Sequence, residues 1–188
     1  MPVITKFLNG VDVGRMHDTI KAVQSTPVLG KFTFRIANKW VDGAENRSET
    51  RDFNAGGEEK KHFADFTMVA DEHEVLLGKD IGANPVEHLL HALASCVTTS
   101  MVYHAAARGI VIEAVESSLD GDIDLQGFLG LDEKVRKGFQ QIRFKFRIRA
   151  DITDAQLKEL AALGPQFSPV FDTLTKGTPV SVSVERLR

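Results

Sequence analysis

The stretch from Gly82-Ala83-Asn84-Pro85-Val86-Glu87 into Leu89–Ala107 constrains this chain more than any other. Asn84 is a strong N-cap, Pro85 suits the first helical position, and Glu87, three residues after Asn84, completes a capping box. Almost every residue from Leu89 to Ala107 is then Ala, Leu, Val, Met, Ser or Thr. The pattern predicts a helix that runs to about Arg108 and stops at Gly109, roughly 36 Å long at 1.5 Å per residue. A helix apolar on every side is expected to be buried on every side. The only cysteine, Cys96, falls in its middle, as inert packing or as the nucleophile of a dry pocket. The run is long enough for a membrane span, but it is rich in Ala, Ser and Thr and contains His91 and His104, with Glu87 and His88 just before it. A buried soluble helix is the better reading.

A length of 188 residues allows one large domain or one domain with an extension, and 43% hydrophobic with 26% charged residues is ordinary for a globular protein. The net charge of -3 gives no pull toward nucleic acid or anionic membrane, so neither is expected as a partner. One cysteine excludes an intrachain disulfide framework, and a lone thiol suits a reducing, cytoplasmic compartment. Met1–Gly10 lacks the long apolar core of a signal peptide.

Val13, Met16, Ile20 and Val23 recur at helical spacing, which predicts a short amphipathic helix over 12–25. Phe32, Phe34 and Ile36 then alternate with polar or small residues, and Trp40 continues the segment. Asp42-Gly43 marks a turn, with 47–53 returning as the second arm of a hairpin. Gly56-Gly57-Glu58-Glu59-Lys60-Lys61 reads as a polar loop and 63–70 as a further strand. Beyond the central helix, Val115, Leu119, Ile123 and Leu125 share one face of a strand, with Glu116, Asp120, Asp122 and Asp124 on the other. The next strand turns Ile142, Phe144, Phe146 and Ile148 inward and Arg143, Lys145, Arg147 and Arg149 outward. Acidic and basic faces on successive strands predict an antiparallel pair with cross-strand ion pairs. Asp154 is expected to cap a helix over 155–163, Ser168-Pro169 to open a further helical turn to about Leu174, and Val180, Val182 and Val184 to end the chain as a strand. The sum is an α+β fold: residues 1–29 as a helical extension and residues 30–188 as the main domain.

Most candidate sites have a simpler explanation. Asp120-x-Asp122-x-Asp124 resembles a calcium loop, but Leu125 and Leu131 stand where glycine and glutamate are needed, and a strand face accounts for all three aspartates. His88, His91 and His104 form no zinc signature and are read as packing histidines, so no metal is expected. Cys96 lies about three turns into its helix, too deep to draw much from the N-terminal dipole. A reactive thiolate there needs a cation from elsewhere, for which Arg35, Arg47 and Arg51 in the early strands are candidates.

Gly82-x-Asn84-Pro85-x-Glu87-x-Leu89-Leu90, followed by Ala94-Ser95-Cys96, resembles the central-helix motif of the OsmC/organic hydroperoxide resistance (Ohr) family. The step of twelve residues from Asn84 to Cys96 fits as well, and Ser168-Pro169-Val170-x-x-Thr173-Leu174 is similar to the family's Cys-Pro-Val-x-x-Thr-Leu motif with the cysteine replaced. The resemblance spans about residues 30–186. It implies an OsmC-like fold with antiparallel sheets wrapped around a long buried helix, an intertwined homodimer, and active sites at the subunit interface. It implies no cofactor: the helix cysteine attacks a peroxide oxygen, and a second cysteine forms a disulfide that an external thiol reopens. An arginine of the early hairpin and a glutamate near the helix start hold the thiolate, and Arg47 is the best match to that arginine. The resolving position, however, is Ser168, and the residue directly after Asn84-Pro85 is Val86, with Glu87 about 100° further round the helix. The cap alone explains Glu87, which stands beside Cys96 and Arg47 as the third candidate catalytic residue. The residues expected to bind substrate are not identified. The expected function is thiol-dependent reduction of organic hydroperoxides by a single cysteine with an external thiol reductant. The alternatives are a binding or redox-sensing dimer that has lost turnover, and thiol chemistry on another electrophile.

Overall fold

The cap signature before Pro85 folds as its residues dictate. In the computed structural model, which describes residues 7–187, the central helix α2 spans Pro85–Ala107. Asn84 Oδ1 accepts from Val86 N at 2.8 Å, and Glu87 Oε2 accepts from Asn84 N at 2.9 Å, so both halves of the capping box are made. Gly109, at φ 72°, supplies the left-handed residue that ends the helix. Two compact units meet in sequence between His91 and Ala92, inside α2.

The first unit opens with a two-residue hairpin of β1 (Phe7–Leu8) and β2 (Val11–Asp12), and Asp12 caps α1 (Val13–Ser25) by accepting from Arg15 N. Two three-stranded antiparallel sheets follow. One has the order β3 (Phe32–Thr33), β6 (Phe53–Ala55), β7 (Glu58–Lys60); the other has the order β4 (Ile36–Asp42), β5 (Glu45–Thr50), β8 (Thr67–Ala70). The Asp42-Gly43 turn is where the sequence puts it, with Asp42 opposite Glu45. The polar stretch after Ala55 is not a loop: Gly56 and Gly57 turn with positive φ, and Glu58–Lys60 pairs back on β6. Of the strand expected over 63–70 only Thr67–Ala70 forms.

In the second unit β9 (Ala114–Asp122) and β10 (Gln141–Arg149) pair antiparallel over nine residues. The register sets Arg143 against Asp120 and Arg147 against Glu116, and both couples are ion-paired as the charge pattern requires. Asp124 leaves that acidic face: it caps a short helix, α3 (Leu125–Phe128), because its side chain accepts from Gln126 N. Helix α4 (Asp154–Phe167) starts one residue earlier than a cap at Asp154 implies, since Thr153 and Gln156 form the capping box. It also runs four residues past Leu163 and carries Pro165 in its last turn, where one backbone hydrogen bond is forfeited. Helix α5 (Pro169–Lys176) follows at once. Val180, Val182 and Val184 form no strand among the described residues and are exposed, because their alternation meets no neighbouring strand to pair with.

The core of this unit is Met101 and Ala105 of α2 against Leu160 and Leu163 of α4, with Phe146 and Ile148 of β10 packed on it. The covering elements reach α2 along one stripe. Leu93, Val97, Met101 and Ala105 are buried, whereas Ser95, Thr99 and Tyr103, also at four-residue spacing, are exposed. The expectation of burial on every side is therefore corrected within this chain to burial on one. Closeness on the buried side depends on Gly164, where a Cβ would lie 2.8 Å from both the carbonyl oxygen and Cγ1 of Val97. Gly164→Ala is expected to push α4 off α2 and to cost about 1–3 kcal/mol, read as a lowered thermal midpoint; an unchanged midpoint contradicts this packing.

Candidate active site

Ser168 ends α4 and begins α5. Its extended backbone (φ −82°, ψ 117°) breaks the two helices, and its hydroxyl caps α5 by accepting from Phe171 N at 3.1 Å. The side chain is only 2% exposed. From that position Ser168 Oγ lies 3.1 Å from Cys96 Sγ and donates to it. Contacts on either side hold the junction in register with α2. Gly164 packs on Val97, Phe167 stacks on His104 with ring centroids 3.7 Å apart, and Ser100 Oγ donates to Phe167 O at 3.4 Å. The Arg108 guanidinium sits 5.9 Å from the centre of the Phe167 ring. Burial, and after it the Arg108 charge, hold His104 below the usual histidine value, so it stacks as a neutral ring near pH 7. Cys96 itself is half-buried and unbridged, hence within reach of a small reagent.

Arg47 and Glu87 belong to the first unit. Arg47 lies on β5, where its Nε and Nη2 both donate to Glu45 Oε1, at 3.0 and 2.9 Å. Glu45 is 5% exposed and its other carboxylate oxygen lies 3.8 Å from Lys79 Nζ, so a buried carboxylate aims the arginine. Arg35 and Arg51 are likewise paired, with Glu59 and Glu49. Glu87 has Oε2 engaged by the helix cap. His88 Nε2 lies 3.0 Å from Val69 O, a hydrogen bond to the strand β8.

Two buried carboxylates in this unit escaped the sequence reading. Besides Glu45, Asp71 is 1% exposed and its Oδ2 accepts from Lys79 N and Ile81 N, which closes the loop leading into α2. Burial pushes the Asp71 carboxyl up, but the backbone N–H groups of Glu72, Lys79 and Ile81 and the Lys79 charge outweigh it and hold it below its ordinary value. Glu45 closes the Asp42-Gly43 turn and Asp71 opens the charged run Asp71-Glu72-His73-Glu74, so in sequence both look like surface. Among the described residues no group of three His, Cys, Asp or Glu side chains is placed to hold a metal ion, and no helix is long and apolar enough to cross a membrane.

The contact between Cys96 and Ser168 generates a direct test. A cysteine at 168 would bring its sulfur within a small rotation of bonding distance, about 2.05 Å, subject to disulfide geometry. Ser168→Cys is expected to form an intrachain bridge to Cys96 on mild oxidation, seen by non-reducing peptide mapping, at a cost on the order of 1 kcal/mol for the weakened cap. Two separately oxidised or free thiols would contradict the geometry.

Comparison with known proteins adds to these observations. A family model described as OsmC-like protein matches residues 78–183. The fold is similar to an OsmC-like protein from Mycoplasma pneumoniae, with a TM-score of 0.57 and 17% identity over 76% of this chain and 87% of that one. It is also similar to a Legionella pneumophila protein described as an organic hydroperoxide resistance protein and predicted redox protein. There the TM-score is 0.55, with 15% identity over 76% of this chain and 88% of the other. An OsmC-like protein of unknown function from Vibrio cholerae gives 0.57 and 12%, over 75% and 92%. No curated protein matches the sequence.

Proposed function

Since this chain belongs to the OsmC-like family, we propose that it reduces organic hydroperoxides in the cytoplasm as a one-cysteine thiol peroxidase, with Cys96 as nucleophile. One observation carries the reading: the only thiol is half-buried on the family's central helix, with the Ser168 hydroxyl turned onto its sulfur. The thiolate attacks the terminal peroxide oxygen and the O–O bond breaks. An alcohol leaves with the transferred proton, and Cys96 becomes a sulfenic acid. Ser168 cannot form a disulfide, so an external thiol condenses with the sulfenic acid to a mixed disulfide and water. A second thiol then releases Cys96 and carries away the oxidised pair. Per turnover one hydroperoxide and two thiols become one alcohol, one water and one disulfide. Within this proposal Arg47, preorganised by Glu45, stabilises the thiolate and the leaving oxygen, and Glu87 assists through the oxygen not used in the cap.

The active assembly is proposed to be a homodimer. Supporting this, the chain leaves large apolar side chains uncovered, among them Phe34 at 71%, Trp40 at 65% and Tyr103 at 53% exposure. A stable pairing that buries more than about 1,000 Å² is expected. Light scattering should report twice the monomer mass at micromolar concentration, whereas a well-folded monomer would contradict it.

A second reading is a dimer that binds or senses without turnover; it is favoured by the serine that stands where the family carries its second cysteine. The two are separated by excess cumene hydroperoxide. A reactive Cys96 without an in-chain partner is expected to proceed to sulfinic and sulfonic acid, detected as added oxygen by intact mass, with none in Cys96→Ser. Failure of Cys96 to gain oxygen in folded protein selects the binding reading.

A further inference from the structure

We propose that Ser168 is itself a catalytic group of this site, a hydroxyl that donates its one hydrogen bond to Cys96 Sγ and thereby favours the thiolate. This rests on the reading of Cys96 as the reacting thiol. The hydrogen-bond accounting leaves the hydroxyl little choice. Ser168 Oγ already accepts from Phe171 N at 3.1 Å, its side chain is shut away from water, and Sγ stands 3.1 Å away as acceptor. A hydroxyl that accepts one bond is a stronger donor in the next, so the chain from Phe171 N–H through Ser168 Oγ–H to Cys96 Sγ is polarised toward the sulfur. It also carries the positive end of α5 to a residue that lies too deep in α2 for that helix's own N-terminus to help. A thiolate accepts a hydrogen bond far better than a thiol does, so the contact is worth most in the ionised state. Ser168 forms no covalent bond at any step; it replaces the redox work of a second cysteine with electrostatic work.

Iodoacetamide tests this without any peroxide chemistry, through the alkylation rate of Cys96 followed across pH. Removing the donor in Ser168→Ala should displace the curve to higher pH, by about a tenfold change in proton concentration for one charge-assisted bond. The freed thiolate is more basic and therefore more nucleophilic, so its alkaline plateau should rise about two- to threefold while the rate near neutrality falls about three- to fourfold. The two curves should cross. Ser168→Gly, which lacks the hydroxyl but remains an accepted N-cap, should behave like Ser168→Ala even if alanine loosens α5. Ser168→Thr, which keeps cap and donor, should restore the wild-type curve. Superimposed curves overturn the proposal, as does a uniform rise or fall at every pH, which is what mere loosening of the pocket would give. Whether hydroperoxide oxidises Cys96 is read in a separate reaction, so loss of the peroxidase reading and loss of this one give different results.

Discussion

The close approach of α4 to α2 at Gly164 and Val97 is the contact on which the rest of the site depends. A side chain at 164 would have to displace the Val97 carbonyl, and a shift of α4 carries Ser168 with it. Because the two helices meet without a Cβ between them, Phe167 reaches His104 and the Ser168 hydroxyl reaches Cys96. The same approach brings Leu160 and Leu163 onto Met101 and Ala105, so core packing and site geometry are two results of one contact. Apolar burial supplies the force and glycine removes the obstacle.

Much of the framework was legible because it rests on local rules. The Asn84–Glu87 capping box, the Gly109 stop, the Asp42-Gly43 turn, the serine cap of α5 and the ion-paired register of β9 and β10 all follow from neighbours in sequence or from period-2 alternation. What escaped was set by tertiary partners. Uniform hydropathy around α2 carries no record of which side the chain covers, so one buried stripe at 93, 97, 101 and 105 could not be read from it. Glu58–Lys60 pairs back on Phe53–Ala55 by turn geometry, and its all-charged arm shows no apolar alternation. The valines near the C-terminus alternate as a strand should, yet a strand is defined by its neighbour.

The site was legible by half. Cys96 stands out as the sole thiol, and Ser168 as the serine where the resemblance leads one to expect a second cysteine, but their meeting joins residues 72 apart in sequence, which no local pattern encodes. Gly164 offered one signal, since a glycine within a helical pattern points to close packing, but Pro165 next to it reads as a helix end. The first unit shows a parallel lesson. Arg47 is a candidate by its place after a turn, whereas the buried carboxylate of Glu45 that holds it stands only two residues earlier and in sequence looks like ordinary hairpin charge.

Under the proposed reaction, a single thiol with a hydroxyl beside it leaves the oxidised sulfur to be rescued from outside the chain. The most direct test is to reduce the protein anaerobically, add one equivalent of cumene hydroperoxide, quench with a small monothiol, and weigh the intact protein under non-reducing conditions. The account predicts one thiol adduct, located at Cys96 by peptide mapping and removed by further thiol. Folded protein that consumes no hydroperoxide and carries no adduct would contradict it.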